Sequence, residues 1–285
     1  MSAEFNVEDN RSRGGEGDKN CCAAEFQCAN FGFDHKEPDL FVRSEWGFSI
    51  FYVIYRFFVA GYCFVLLIYS GIVYKYGPKY FIFLTYWSFI LLNVNTLLLF
   101  ITSVIGYYKF KRAQVYLEMP WYLKMVWVFY NVSTQAAFVI TVLYWVFEYN
   151  TSKTLNIVNV TTHAVNSVFA FIDMLVTAIP IRILHAPGPM IYGATYLIFA
   201  PIYWAAGGLN EHGGTYIYPL LDYGNKLGLA IGSSLGTVFV AVPLVQLLLF
   251  GLYKLRLTFH CGRINKKVTQ RPTSIETRIL QAQTS

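Results

Sequence analysis

Between Lys79 and Lys109 the chain carries no charged side chain, and the same holds from Arg182 to Glu211 and from Lys226 to Lys254. An α-helix rises about 1.5 Å per residue, so each run is long enough to cross the roughly 30 Å hydrocarbon core of a bilayer. Hydrocarbon offers backbone amides and carbonyls no partner, and a helix satisfies them within itself. The pattern predicts an all-α protein, an integral membrane six-helix bundle with spans near 47–74, 80–106, 122–147, 163–184, 190–208 and 227–253. Gly77-Pro78, Met119-Pro120 and Pro187-Gly188-Pro189 punctuate the connections.

Composition points to the same solvent. With 55% hydrophobic and 13% charged residues, a soluble chain of this length could not cover its apolar surface. The net charge of +6 gathers beside the spans, so it reports orientation and anionic lipid; no base-reading motif accompanies it, and nucleic acid is not an expected partner. Residues 1–46 read as a polar N-terminal tail without an apolar signal segment, 47–255 as the bundle and 256–285 as a basic C-terminal tail. The first span then serves as the insertion signal.

Orientation follows from Lys and Arg. The C-terminal tail holds Lys254, Arg256, Arg263, Lys266, Lys267, Arg271 and Arg278, and the second connection holds Lys109, Lys111 and Arg112. Six spans put both on one side, expected to be cytosolic, because the alternate connections offer only Lys75 with Lys79, Lys153, and Lys226. Both termini are then cytosolic. The sequons at Asn150 and Asn159 fall in the third connection, on the expected exterior; a third match, at Asn131, lies inside a span and shows how readily the pattern arises.

The five cysteines are Cys21, Cys22 and Cys28 in the tail, Cys63 in a span and Cys261 beyond the last span. None lies on the expected exterior, so a disulfide framework is not expected, and Cys261 among basic residues is either a site of S-palmitoylation or an inert thiol. The cysteine spacing and the scattered histidines predict no metal, and no cofactor is expected.

Ionisable groups inside a bilayer need partners or a route to water, which singles out Arg56, Asp173 and Arg182. Arg56 lies roughly 13 Å along the first helix and Asp173 at a similar height on the fourth. They can meet as a buried pair; alternatively Arg56 snorkels to the interface and Asp173 bonds to nearby hydroxyls. Arg182 is close enough to the cytosolic edge to snorkel. Asn93, Asn95 and Thr96, with Ser133, Thr134 and Gln135, are expected to face inward and bond between helices. Gly228, Gly232 and Gly236 form a small-residue stripe suited to a helix seam within the bundle or to a dimer. No ring of charge supports a pore or transporter.

Thr85, near the start of the second helix, and His163, which opens the fourth, share one depth in the outer leaflet. An imidazole within reach of a hydroxyl can take its proton and make the oxygen a nucleophile toward an acyl ester. Asn166, three residues on along the same face, can orient the ring or donate to an oxyanion. The plainer reading is a Thr bonded to its own backbone and an interfacial His. Glu211, His212 and Asp222 lie in the last outer connection, from which they could fold over the mouth.

The stretches Tyr80-Phe-Ile-Phe-Leu-Thr85-Tyr-Trp, Trp127-Val-Phe-Tyr-Asn131, Tyr144-Trp-Val-Phe-Glu148, His163-Ala-Val-Asn166 with Asp173, Pro180-Ile-Arg182-Ile-Leu-His185, Tyr203-Trp204-Ala-Ala-Gly207-Gly208 and Tyr216-Ile-Tyr-Pro-Leu-Leu-Asp222-Tyr resemble the rolling stone family of animal membrane proteins. The resemblance covers about 31–255 and implies a multi-pass plasma-membrane protein acting in cell–cell fusion, in myoblasts and muscle development. The endoplasmic reticulum is the alternative compartment. More distantly, Leu84-Thr85 and His163 resemble the androgen-induced membrane proteins that hydrolyse fatty-acid esters of hydroxy fatty acids with a threonine and a histidine. That resemblance implies Thr85 as nucleophile and His163 as base, while Tyr86 and Ala164-Val165-Asn166 depart from its pattern. Expected partners are membrane lipids, with a homodimer or other membrane proteins as further candidates.

Overall fold

The computed structural model describes residues 25–27, 30–114, 116–149 and 160–269, without the side chains of 161, 162 and 260–269. Cys21, Cys22, Cys28, Lys153, both outer sequons and the end of the basic tail lie outside the described residues, as does the side chain of Cys261.

The described chain is helical, with two isolated bridges in place of any sheet. α1 is Ile50–Val73, and its Ser49 cap accepts a hydrogen bond from the Phe51 amide at 3.2 Å. α2 is Leu84–Lys111, beginning four residues later than predicted because Gly77–Ile82 forms a 3₁₀ turn around Pro78. α3, Trp121–Leu143, runs on through a π-helical turn, Tyr144–Glu148. A second π turn, Thr161–Val165, leads into α4, Asn166–Val176. α5 is Pro187–Ala205. α6, Leu227–Gly236, joins α7, Val242–Thr269, through a third π turn, Thr237–Ala241.

Four helical stretches are long and apolar enough to cross a membrane: Ile50–Val73, Leu84–Lys111, Trp121–Glu148 and Leu227–Phe259. The third is central, with 67% of its apolar window buried, whereas the first and last bury 28% and 22%. Their outer faces expose Phe57, Phe58, Phe64, Leu235, Phe239 and Leu248, an apolar surface suited to hydrocarbon. Of the other two predicted spans, α5 keeps 19 residues, shifted three towards the N-terminus, whereas the fourth is a shorter apolar helix, His163–Val176, and departs most from expectation. It leaves the helix at Val176, eight residues early, and Thr177–Arg182 continues as non-helical chain.

The reason lies partly in Pro180, which disfavours helix in the residue before it. The rest is tertiary. The guanidinium of Arg256, on α7, donates to the carbonyls of Met174, Thr177 and Ile179, so carbonyls freed by the helix end find a cation. On its other side this segment pairs with residues before α1: the Glu45 amide donates to Val176 O at 2.9 Å and the Ala178 amide to Arg43 O at 3.3 Å. Arg182 therefore stands in a connection, where it donates to Gly32 O at 3.1 Å and covers the Trp127 ring.

Residues just before α1 are built into this end of the bundle. Phe41 and Val42 are 1% exposed and pack with Trp127, Tyr130, Met174 and Leu249. The indole of Trp127 donates to Pro180 O at 2.9 Å. Gly106 makes the approach possible, since a Cβ there would stand 2.4 Å from Val42 Cβ. Lys254 Nζ meets Glu25 Oε1 at 2.8 Å and Arg256 meets Glu45 at 3.5 Å, so the first described residues and α7 come together here.

Arg56 and Asp173 are joined in the bundle interior as an ion pair. Among the inward polar residues, Gln135 reaches Val242 O and Asn131 donates to His185 O at 2.9 Å. Asn93 Nδ2 and Thr96 Oγ1 instead donate along their own helix, to Phe89 O and Asn93 O.

Candidate functional site

The opposite end of the bundle encloses a cavity of about 630 Å³. Thr85 and His163 both line it, at 9% and 8% exposure. Thr85 reaches it as the second residue of α2, and the π turn carrying His163 packs against α2. All three π turns among the described residues contribute to the wall: Tyr144, Phe147 and Glu148 from the first, His163 from the second, Thr237 from the third. A π turn opens the helical hydrogen-bond ladder locally and is common at functional sites.

The imidazole of His163 is held rather than mobile. It stacks on the Tyr144 ring with centroids 3.6 Å apart and planes 2° from parallel, and its backbone carbonyl accepts from the Trp145 indole at 3.1 Å. Its Nδ1 is buried without a hydrogen-bond partner among the described residues. Asn166, 7% exposed, opens α4 just beyond the same π turn.

Phe83, the cap residue of α2, offers no side-chain bond to the free amides of the first turn. Tyr218, from the α5–α6 connection, lies against the amides of Leu84 and Thr85 and the Thr85 hydroxyl. Glu211 and His212 come from the same connection and line the cavity, whereas Asp222 does not. Asp222 instead accepts from the Asn225 amide at 3.0 Å, a turn contact that holds its carboxyl below the usual range. The connection is tied down by Lys79 Nζ, which donates to Asn210 O at 2.7 Å.

The family model described as "Protein rolling stone" matches residues 18–266. The chain belongs to the rolling stone family. Protein rolling stone of Drosophila melanogaster is 32% identical over 253 residues, covering 83% of this chain and 90% of that protein. No solved structure matches the chain.

In this rolling stone family member, an integral membrane protein, Thr85 and His163 line one cavity while Asn166 lies just beyond the π turn, outside that lining, and Arg56 is joined to Asp173. Arg182 belongs to neither group. The glycine stripe forms no seam inside the bundle: nothing lies within 4 Å of a Cβ built at Gly228, Gly232 or Gly236, because α6 turns Ser233 and Ser234 to the cavity instead. Nothing in the residues alone marks Glu148 or Tyr218 as part of a site: Glu148 stands just past the span expected at 122–147, and its signal is a lone carboxylate following an apolar run.

Proposed function

We propose that this protein acts at the plasma membrane in cell–cell fusion, in myoblasts during muscle development. Membership of the rolling stone family supports this reading, the likeness running over 90% of the Drosophila protein. With six spans and both termini in the cytosol, the cavity faces the exterior, the side that meets an opposing cell. The test mixes two myoblast populations carrying different cytosolic fluorophores. Removing the protein should lower content mixing and re-expression should restore it; unchanged mixing in its absence would exclude the role.

A second reading is favoured by one observation, that Thr85 and His163 line a single cavity. In this reading the protein is an intramembrane hydrolase of lipid esters such as fatty-acid esters of hydroxy fatty acids. His163 takes the Thr85 proton as the oxygen attacks the ester carbonyl, and the same proton leaves with the alcohol. Water then cleaves the acyl-threonine with His163 again as base. Asn166 or the amides at the start of α2 would receive the oxyanion. Purified protein should react with a fluorophosphonate and release fatty acid, and Thr85→Ala and His163→Ala should each abolish both. Turnover that survives either substitution would rule out this chemistry.

A further inference from the structure

We propose that Tyr218 is a side-chain gate: its phenol oxygen occupies the place at the start of α2 that an acyl carbonyl oxygen would take, and it must swing into the cavity before an ester reaches Thr85. The gate rests on the hydrolase reading, which supplies its ligand class.

The first turn of α2 defines the place. The amides of Tyr86 and Trp87 both donate to Phe83 O, at 3.1 and 3.3 Å, which leaves those of Leu84 and Thr85 as the donors of this helix end. Both residues line the cavity, whereas Asn166 does not. Two adjacent amides at a positive helix end, one of them belonging to the nucleophile itself, suit an ester carbonyl as charge develops on its oxygen. The Tyr218 phenol already lies against both amides and against the Thr85 hydroxyl. One oxygen thus fills the carbonyl's place and engages the nucleophile. His163, meanwhile, keeps its Nδ1 buried without a hydrogen-bond partner among the described residues.

The mounting of this residue makes the side chain the moving part. Ile217 and Leu221, on either side of it, are 8% and 7% exposed and share one apolar cluster with Ile82 and Tyr196, so the backbone here is anchored. The ring meets Phe83 edge-on, with centroids 5.7 Å apart, and forms part of the cavity wall, with open volume beside it. Rotation about its own side-chain bonds would carry the oxygen off Thr85 without unpacking the connection. Tyr196, whose hydroxyl donates to Ile82 O at 2.8 Å, also meets the Leu84 amide, so the first turn keeps a support when the gate opens.

The test uses the purified full chain in neutral detergent and two probes. A long-chain fluorophosphonate reports attack by Thr85, whose oxygen bonds phosphorus as fluoride leaves. A long-chain methyl ketone offers a carbonyl with no leaving group, and its binding is titrated by protection of the amides at 84–86 from hydrogen exchange. Tyr218→Phe keeps the ring and deletes the oxygen. It should be labelled about tenfold faster than wild type, bind the ketone about tenfold tighter, and lose labelling when Thr85→Ala is added. Tyr218→Leu should shift both readings the same way, and it decides the matter if the Phe variant does not fold. Unchanged or weaker ketone binding in the folded variants would overturn the gate whatever the labelling shows. Tighter ketone binding with no labelling in any variant would uphold the gate and remove the hydrolase.

Discussion

Arg56 of α1 and Asp173 of α4 form an ion pair inside the bundle, with Arg56 only 1% exposed. Two phenols complete it: Arg56 Nη2 donates to Tyr52 at 2.6 Å, and Tyr55 donates to Asp173 Oδ1 at 3.2 Å. Removing one partner strands a buried charge, which costs about 3–5 kcal/mol. Arg56→Leu and Asp173→Asn should each lower the thermal transition in detergent sharply, and the double Leu variant should recover most of the loss. A double variant no better than its parents would show that the pair is not the source of the effect.

Arg256 predicts a different failure. Its guanidinium serves three carbonyls of the chain that leaves α4. Arg256→Met should cost roughly 3 kcal/mol and raise amide hydrogen exchange selectively across residues 174–179. Arg256→Lys should recover only part, because an ammonium cannot fork as a guanidinium does. Uniform exchange changes across the bundle would argue against a local latch.

Gly106 controls the docking of the segment before α1. Gly106→Ala drives a methyl into Val42 and should destabilise by about 1–3 kcal/mol. Combining it with Val42→Ala should give a loss smaller than the sum of the two single changes, measured as a coupling energy in a double-mutant cycle. Strict additivity would contradict the contact.

His185 gives the protein an acid limit. The imidazole is 3% exposed in the connection between α4 and α5, and burial pushes its pKa from 6.5 down to about 4, with nearby Arg182 adding to the shift against the Gly32 carbonyl. The folded state therefore refuses a proton that the unfolded chain accepts. Stability from this group is full above pH 6.5 and is lost as pH falls toward 4, by up to about 3 kcal/mol. His35, also lowered by burial and by Arg182, tilts the same way. His185→Gln should flatten the decline in melting temperature between pH 6.5 and 4; an unaltered slope would assign the titration elsewhere.

What the residues reveal on their own divides along a physical line. Uncharged runs identify the helices because lipid permits little else, and counting helical rise puts Arg56 level with Asp173 and Thr85 level with His163. The early end of α4 is not legible, because the groups that stabilise it, Arg256 and the backbone at 43–45, lie about eighty residues or more away along the chain. Nor does polar composition before α1 disclose that Phe41 and Val42 are core. At the site, Tyr218 arrives from the α5–α6 connection and Glu148 from the π turn that ends α3, and the π turns have no periodicity that a helix pattern would expose.

Those π turns carry a consequence for how such a molecule changes. Each closes a hydrogen-bonded ring around one residue more than an ordinary helical turn needs. Deleting a single amino acid from any of them would leave a regular helix still in phase with its neighbours, so the membrane scaffold can outlive the chamber it encloses. Lineages that lose the surplus residue would keep the architecture and reshape the cavity wall.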